Sequence, residues 1–122
     1  MTAKLYTREE ANELLPHLAP ALVELREKFE EAARVRSAVA RAAASNGWSL
    51  QREEWSQTLA RVTELLERLD EWNVQLRDVT TGLVDFPSVI EGEEAFLCWR
   101  LGEPEVGYWH PPDTGFGGRR PL

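Results

Sequence analysis

The feature that most constrains this chain is a pair of segments whose apolar residues recur at alternating spacings of three and four. The first segment is Leu15–Ala43 and the second is Trp55–Leu76. This spacing places the apolar side chains on one stripe of a helix, as in a coiled coil. Because Asn46 and Gly47 separate the segments, the pattern predicts a long antiparallel helical hairpin with a short turn.

The bounds of the two helices follow from their end signals. Thr7 and Glu10 are spaced as a capping box, in which each side chain bonds the backbone amide of the other residue. The first helix is therefore predicted from about Arg8 to about Ala44, and the second begins near Ser49.

Two prolines interrupt the start of the first helix. Pro16 and Pro20 each remove an amide donor, which predicts a kink or a separate short helix over residues 8–15. The first helix is also longer than the second, so residues 8–20 extend beyond the end of the hairpin. We expect them to meet the C-terminal segment there.

From about residue 76 the helical spacing gives way to short runs with turn residues between them. The strings QLRDV, TTGLVDF, EAFLCWRL and EVGYWH predict three or four short antiparallel strands, and DTGFGGRRPL predicts an extended C-terminal tail. The whole chain is thus predicted to be one α+β domain over residues 1–122. It comprises a helical hairpin over about 7–75 and a β-rich segment over about 76–122.

Four strings of this sequence resemble one bacterial family. They are EANELLPHL, GLVDFPS, LCWRLGEPEVGYWH and GFGGRRPL, and the family is known as domain of unknown function 2203. The resemblance implies no activity, substrate or cofactor, so no functional residue is carried over from it.

Charge and composition exclude several classes of function. The formal net charge of -7 argues against a nucleic-acid-binding protein, which needs a basic surface. Cys98 is the one cysteine, so an internal disulfide is impossible and a reducing, cytoplasmic location is expected. There is no secretory signal pattern and no apolar run long enough to span a membrane.

Cys98 and His110 are the first candidates for catalysis, and their placement depends on one loop. A two-residue turn closed by Leu101 and Pro104 puts them on opposite faces of the sheet. A loop one residue longer puts both on one face, with Phe96 opposite His110. Burial of Cys98 as a small apolar residue is the alternative. The chain lacks paired cysteine or histidine spacings, so no metal and no cofactor is expected.

Several charged residues are further candidates for the site. Asp85 is a weak catalytic candidate and is expected to pair with Arg100, since both interrupt apolar runs. The candidates for binding a ligand or an anion are Arg100, Asp113, Arg119 and Arg120.

Three residues are candidates for contact with another chain. Arg36 interrupts the apolar stripe of the first helix, Trp48 lies at the tip of the hairpin, and Trp72 widens the apolar face of the second helix. We therefore favour an interaction or scaffold protein that forms a homodimer through its hairpin, with another protein as a further candidate partner. The alternative is a small-ligand-binding or catalytic module, with its site where the first helix meets the β-rich segment.

Overall fold

Two helices are followed by one antiparallel sheet in the computed structural model, which describes residues 3–43 and 49–122. The helices are α1 (Arg8–Ala43) and α2 (Ser49–Glu71). The five strands are β1 (Gln75–Asp78), β2 (Leu83–Ile90), β3 (Glu93–Arg100), β4 (Tyr108–His110) and β5 (Arg120–Pro121), side by side in chain order. The predicted α+β architecture, a hairpin and then a sheet, is confirmed.

The capping box at the start of α1 is confirmed. The amide of Glu10 donates to the Thr7 hydroxyl oxygen at 3.1 Å, and the amide of Thr7 donates to a Glu10 carboxylate oxygen at 3.0 Å. Lys4 forms an ion pair with the same carboxylate. These contacts satisfy amides that have no partner within the helix, so α1 begins where the sequence predicts.

The prediction of a separate short helix before the prolines is wrong. Pro16 and Pro20 both lie inside α1, which continues as one helix. Both prolines are exposed and four residues apart, so the carbonyls that lose a donor lie along one solvent-facing stripe. The buried side of the helix, with Leu18 and Leu22, keeps its packing through this segment.

The two helices pack through one buried stripe from each. The residues are Leu18, Leu22, Leu25 and Val35 of α1, with Thr58, Leu65 and Leu69 of α2. Beside this stripe the Arg61 guanidinium donates to both oxygens of Glu24, at 2.5 and 2.6 Å. No helix within the described ranges is long and apolar enough to cross a membrane.

Part of the predicted apolar stripe of α2 does not face α1. Leu59 and Leu66 are 39% and 38% exposed, while their neighbours Thr58 and Leu65 are buried. The contact surface of α2 is therefore rotated by about one residue from the predicted one. The rotation leaves the two leucines on the outer side of the hairpin.

Tyr6 joins the hairpin to the sheet. Its amide donates to Pro87 O at 2.8 Å, and its carbonyl accepts from the Ser88 hydroxyl at 2.6 Å. Its phenol donates to Trp72 O at 2.5 Å, and its ring contacts the Phe86 ring edge-on at 5.1 Å between centroids. Tyr6, which lies two residues before α1, thus holds the end of α2 and the middle of β2 together.

The sheet has five strands, whereas three or four were predicted, because part of the tail forms a strand. Phe116–Gly118 forms a single 3-10 turn, and β5 then pairs with β4, with Tyr108 opposite Pro121 and Trp109 opposite Arg120. The tail therefore returns to the sheet as its last edge strand.

Replacing Phe86 by alanine tests this core. Phe86 is fully buried between the helices and the sheet. We expect the free energy of unfolding, measured by urea denaturation, to fall by about 3–5 kcal/mol. Val89→Ala, on the same strand at a half-exposed position, should cost less than about 1 kcal/mol. Equal losses for the two variants would contradict this packing.

Candidate functional site

The pairing of β2 with β3 divides the sheet into an inner and an outer face. Asp85 lies directly opposite Cys98, and directly opposite residues project from the same face. The alternate residues of these strands face the helices and belong to the core: Val84, Phe86, Leu97 and Trp99. Asp85 and Cys98 therefore lie on the outer face, away from the helices.

His110 joins them on the outer face. Phe96 of β3 lies opposite His110 of β4, which is the register of the longer predicted loop. Because Phe96 and Cys98 are two residues apart, His110 shares their face. Asp85, Cys98 and His110 are each at most 2% exposed. The cluster lies across the sheet from the helix–sheet junction, where the sequence alternative placed a site.

The predicted partner of Asp85 is wrong. One oxygen of Asp85, Oδ2, accepts from Arg77 Nε at 2.8 Å and lies 3.0 Å from His110 Nε2. Arg100 instead lies over the Phe116 ring, 5.4 Å from its centroid. Asp85 on β2 is thus held by side chains from two other strands of the sheet, β1 and β4.

Arg77 is the residue of this site that sequence reasoning missed. The register of β1 against β2 shifts between Leu76 and Asp78, so Arg77 lies at a β-bulge. A bulge redirects the side chain of its extra residue. The alternation of side chains along β1 therefore does not predict which face Arg77 lies on. The one signal in the sequence was the presence of an arginine within the predicted strand QLRDV.

The hydrogen bonds of His110 define where its protons lie. Nδ1 is 2.8 Å from Pro111 O, an acceptor, so Nδ1 carries a hydrogen. Nε2 faces the Asp85 carboxylate, another acceptor. One proton must therefore lie between Nε2 and Oδ2. A cation that binds both groups can replace that proton.

Burial raises the pKa of the Cys98 thiol to about 11. The neighbouring Asp85 carboxylate adds to the rise, and the Arg119 guanidinium opposes it. The thiol is consequently protonated at neutral pH. A cysteine that acts as a nucleophile without further activation needs the opposite shift.

Three donors of different chemistry converge at this point. The ligand atoms that Asp85, Cys98 and His110 offer all lie within 4.8 Å of one another. The second oxygen of Asp85, Oδ1, is buried and accepts no hydrogen bond from the residues that the structure describes. An unsatisfied buried carboxylate oxygen costs about 1–3 kcal/mol or more, so an ion, a ligand or a water molecule beside Oδ1 would stabilise it.

A pocket of about 270 Å³ adjoins the three donors, and all three line it. Its other walls come from the sheet and from the C-terminal segment: Arg77, Leu83, Pro112, Thr114, Gly115 and Phe116. The tail, predicted as an extended segment, therefore builds one side of the site.

Arg119 fixes this wall to the sheet. Its guanidinium donates to Glu103 at 2.6 Å and to Cys98 O at 3.4 Å, and it stacks over the Tyr108 ring at 4.1 Å. Both charged side chains of the ion pair are largely buried. Arg119 thus positions the segment over the site and is not itself a wall of the pocket.

The remaining candidates lie elsewhere. Asp113 and Arg120 line a second pocket of about 590 Å³, where Arg120 lies over the Trp109 ring. Trp72 packs against the core, and Arg36 is exposed on α1. Trp48 lies outside the described residues.

The reactivity of Cys98 tests this description of the thiol. The pKa near 11, against an ordinary 9.0, lowers the thiolate fraction at neutral pH about 100-fold. We expect a disulfide reagent to modify the metal-free native protein at least about 100-fold more slowly than the chain unfolded in denaturant. The sole cysteine gives one unambiguous rate. Equal rates at neutral pH would refute the buried thiol.

Comparisons with known proteins agree with the resemblance seen in the sequence. Neither the curated proteins nor the solved structures give a match. A family model described as "Uncharacterized conserved protein (DUF2203)" matches residues 4–122. The chain therefore belongs to the DUF2203 family.

Proposed function

We propose that this protein binds one divalent zinc ion through Asp85, Cys98 and His110 and presents it to a small molecule in the adjoining pocket. The observation that carries the proposal is the convergence of three buried donors from neighbouring strands β2, β3 and β4. Thiolate sulfur, imidazole nitrogen and carboxylate oxygen are the ligand types that zinc uses in proteins.

The distances suit zinc after a small adjustment. Zinc bonds of about 2.0–2.3 Å in a tetrahedral site set the ligand atoms roughly 3.3–3.8 Å apart. The donors of this cluster lie within 4.8 Å of one another. Modest side-chain rotations therefore bring them to bonding distance without a change in the sheet.

The surrounding hydrogen bonds support the same arrangement. The Nδ1–H of His110 donates to Pro111 O, which leaves Nε2 to face the other donors. Arg77 holds Oδ2 of Asp85, while Oδ1 is without a partner among the described residues. Outer contacts of this kind orient the ligands of metal sites. On binding, the metal replaces the protons of the Cys98 thiol and of the His110–Asp85 pair.

Three protein ligands leave one position of a tetrahedral zinc ion open. In proteins such a position holds a water molecule or a substrate and is typical of catalytic sites, whereas structural sites are closed by four ligands. Because the same three residues line the pocket, the open position faces it. This supports the ligand-binding alternative over a purely structural metal.

Zinc titration of the chelator-treated protein tests the proposal. We expect one zinc ion per chain and a higher melting temperature with zinc, since a ligand at 100 times its Kd stabilises by about 2.7 kcal/mol. Cys98→Ser and Asp85→Asn should weaken zinc binding at least about 100-fold, because each removes a direct ligand.

His17→Ala is the matched control, because His17 is exposed and is the other histidine of the chain. It should leave zinc affinity unchanged. The proposal fails if the native protein takes up no zinc, or if Cys98→Ser binds it as well as the native protein does.

The second candidate function is an interaction module that forms a homodimer through the hairpin. It is favoured by the exposure of Phe29, Leu59 and Leu66, at 41%, 39% and 38%. Leu59 and Leu66 are seven residues apart and so share one stripe of α2. A second hairpin is a suitable cover for this stripe, and it is compatible with a metal site on the far face of the sheet.

Light scattering coupled to size exclusion tests the dimer. We expect a dimer at micromolar concentration and a monomer for the double variant Leu59→Glu/Leu66→Glu, which places charges on the stripe. Val89→Glu, at an apolar site on β2 that is 49% exposed, should remain dimeric. A monomeric native protein at that concentration would exclude the hairpin interface.

A further inference from the structure

We infer that the small molecule at this site is an anion, with a carboxylate or phosphate group that binds the metal's open position and Arg77 together. The inference rests on the zinc site proposed above. It specifies the chemical class of the ligand from charge, donor geometry and pocket size.

The pocket offers positive charge within an acidic protein. The chain carries a net charge of -7. At the site, the Asp85 carboxylate and a Cys98 thiolate would neutralise a divalent metal, and Glu103 neutralises Arg119. Arg77 lies in the pocket wall and Arg100 lies beside Phe116, so two guanidinium groups are close to a bound ligand. Guanidinium groups at a pocket favour an anionic ligand.

Arg77 has a donor available for that ligand. Its Nε donates to Asp85, and its Nη2 donates to Gln75 Oε1 at 2.5 Å. Its Nη1 donates to no acceptor among the residues of ranges 3–43 and 49–122. The guanidinium is held in place by two bonds and keeps one edge for a carboxylate or phosphate oxygen.

Two acidic side chains close to the pocket in sequence, Asp78 and Asp113, do not line it. Asp78 accepts from the Thr80 amide and the Thr81 hydroxyl. Asp113 lines the second pocket and not this one. Among the described residues that line this pocket, Asp85 is therefore the one carboxylate.

The pocket size limits the ligand to a small molecule. At about 30 Å³ for each water molecule in the liquid, a volume of about 270 Å³ holds roughly ten non-hydrogen atoms or fewer. Leu83 and Phe116 offer apolar contact at the walls. A short organic acid or a small phosphate compound fits these limits, whereas a polymer does not.

Cobalt in place of zinc provides the test, because its visible spectrum reports the ligands of the metal. The cobalt-loaded protein is titrated with acetate, with inorganic phosphate, with neutral acetamide and with methylammonium, in a buffer free of coordinating anions. We expect acetate or phosphate to change the spectrum saturably. The stronger of the two identifies the ligand group, and acetamide and methylammonium should have no effect.

Variants locate the anion at Arg77. With cobalt saturated, as judged by the thiolate-to-cobalt band, Arg77→Gln should weaken anion binding at least 10-fold. Arg100→Gln, which touches no proposed metal ligand, should weaken it about 3-fold. Arg34→Gln, an exposed arginine on α1, is the charge-matched control and should change it less than 2-fold.

The outcomes separate this inference from the metal site. Failure to bind cobalt or zinc would remove the proposed function and with it the anion. Cobalt binding with no response to acetate or phosphate, or with an equal response to acetamide, would overturn the anion and leave the metal site intact. Unchanged anion affinity in Arg77→Gln would overturn it as well.

Discussion

The structure depends most on the pairing of β2 with β3. Eight residues of each strand pair without a break, so their alternation is fixed along the full length. The inward positions, such as Phe86 and Leu97, close the core with the helices, and the outward positions bring Asp85 against Cys98. A slip of one residue would expose the core and separate the polar pair at once. Stability and the candidate site are therefore set by the same register.

Besides the apolar core, polar contacts attach the start of the chain to β2 and to the loop that follows β3. Tyr6 bonds the backbone around Pro87, and at the start of α1 the Arg8 guanidinium donates to Val106 O at 2.9 Å. The amide of Val106 donates to Asn12 Oδ1 at 2.7 Å. These contacts join the first helix to the loop between β3 and β4. The loop in turn leads into β4, so the helix contact helps to place His110 on the outer face.

Local sequence patterns predicted the helices and strands well, but they predicted the side-chain contacts between strands less well. The capping box at Thr7 depends on neighbours in sequence and was predicted, and the loop that puts His110 opposite Phe96 is one of the two alternatives that the sequence left open. The partner of Asp85 was not predicted, because Arg77 reaches it through a bulge that alternation cannot foresee. The sequence named Asp85, Cys98 and His110 as candidates but did not indicate that their ligand atoms converge, for a related reason. They come from three strands, so sheet register and not sequence spacing brings them together.

The two faces of the sheet are closed by different means, and this difference explains where chemistry can occur. The helices cover the inner face with apolar packing. A short C-terminal segment covers the outer face, held by the ion pair of Arg119 with Glu103. Gly118 lets it fold tightly, since a Cβ there would lie 2.3 Å from the Thr114 hydroxyl oxygen. Such a cover is thin and partly polar, so it leaves a pocket that reaches the buried side chains of Asp85, Cys98 and His110.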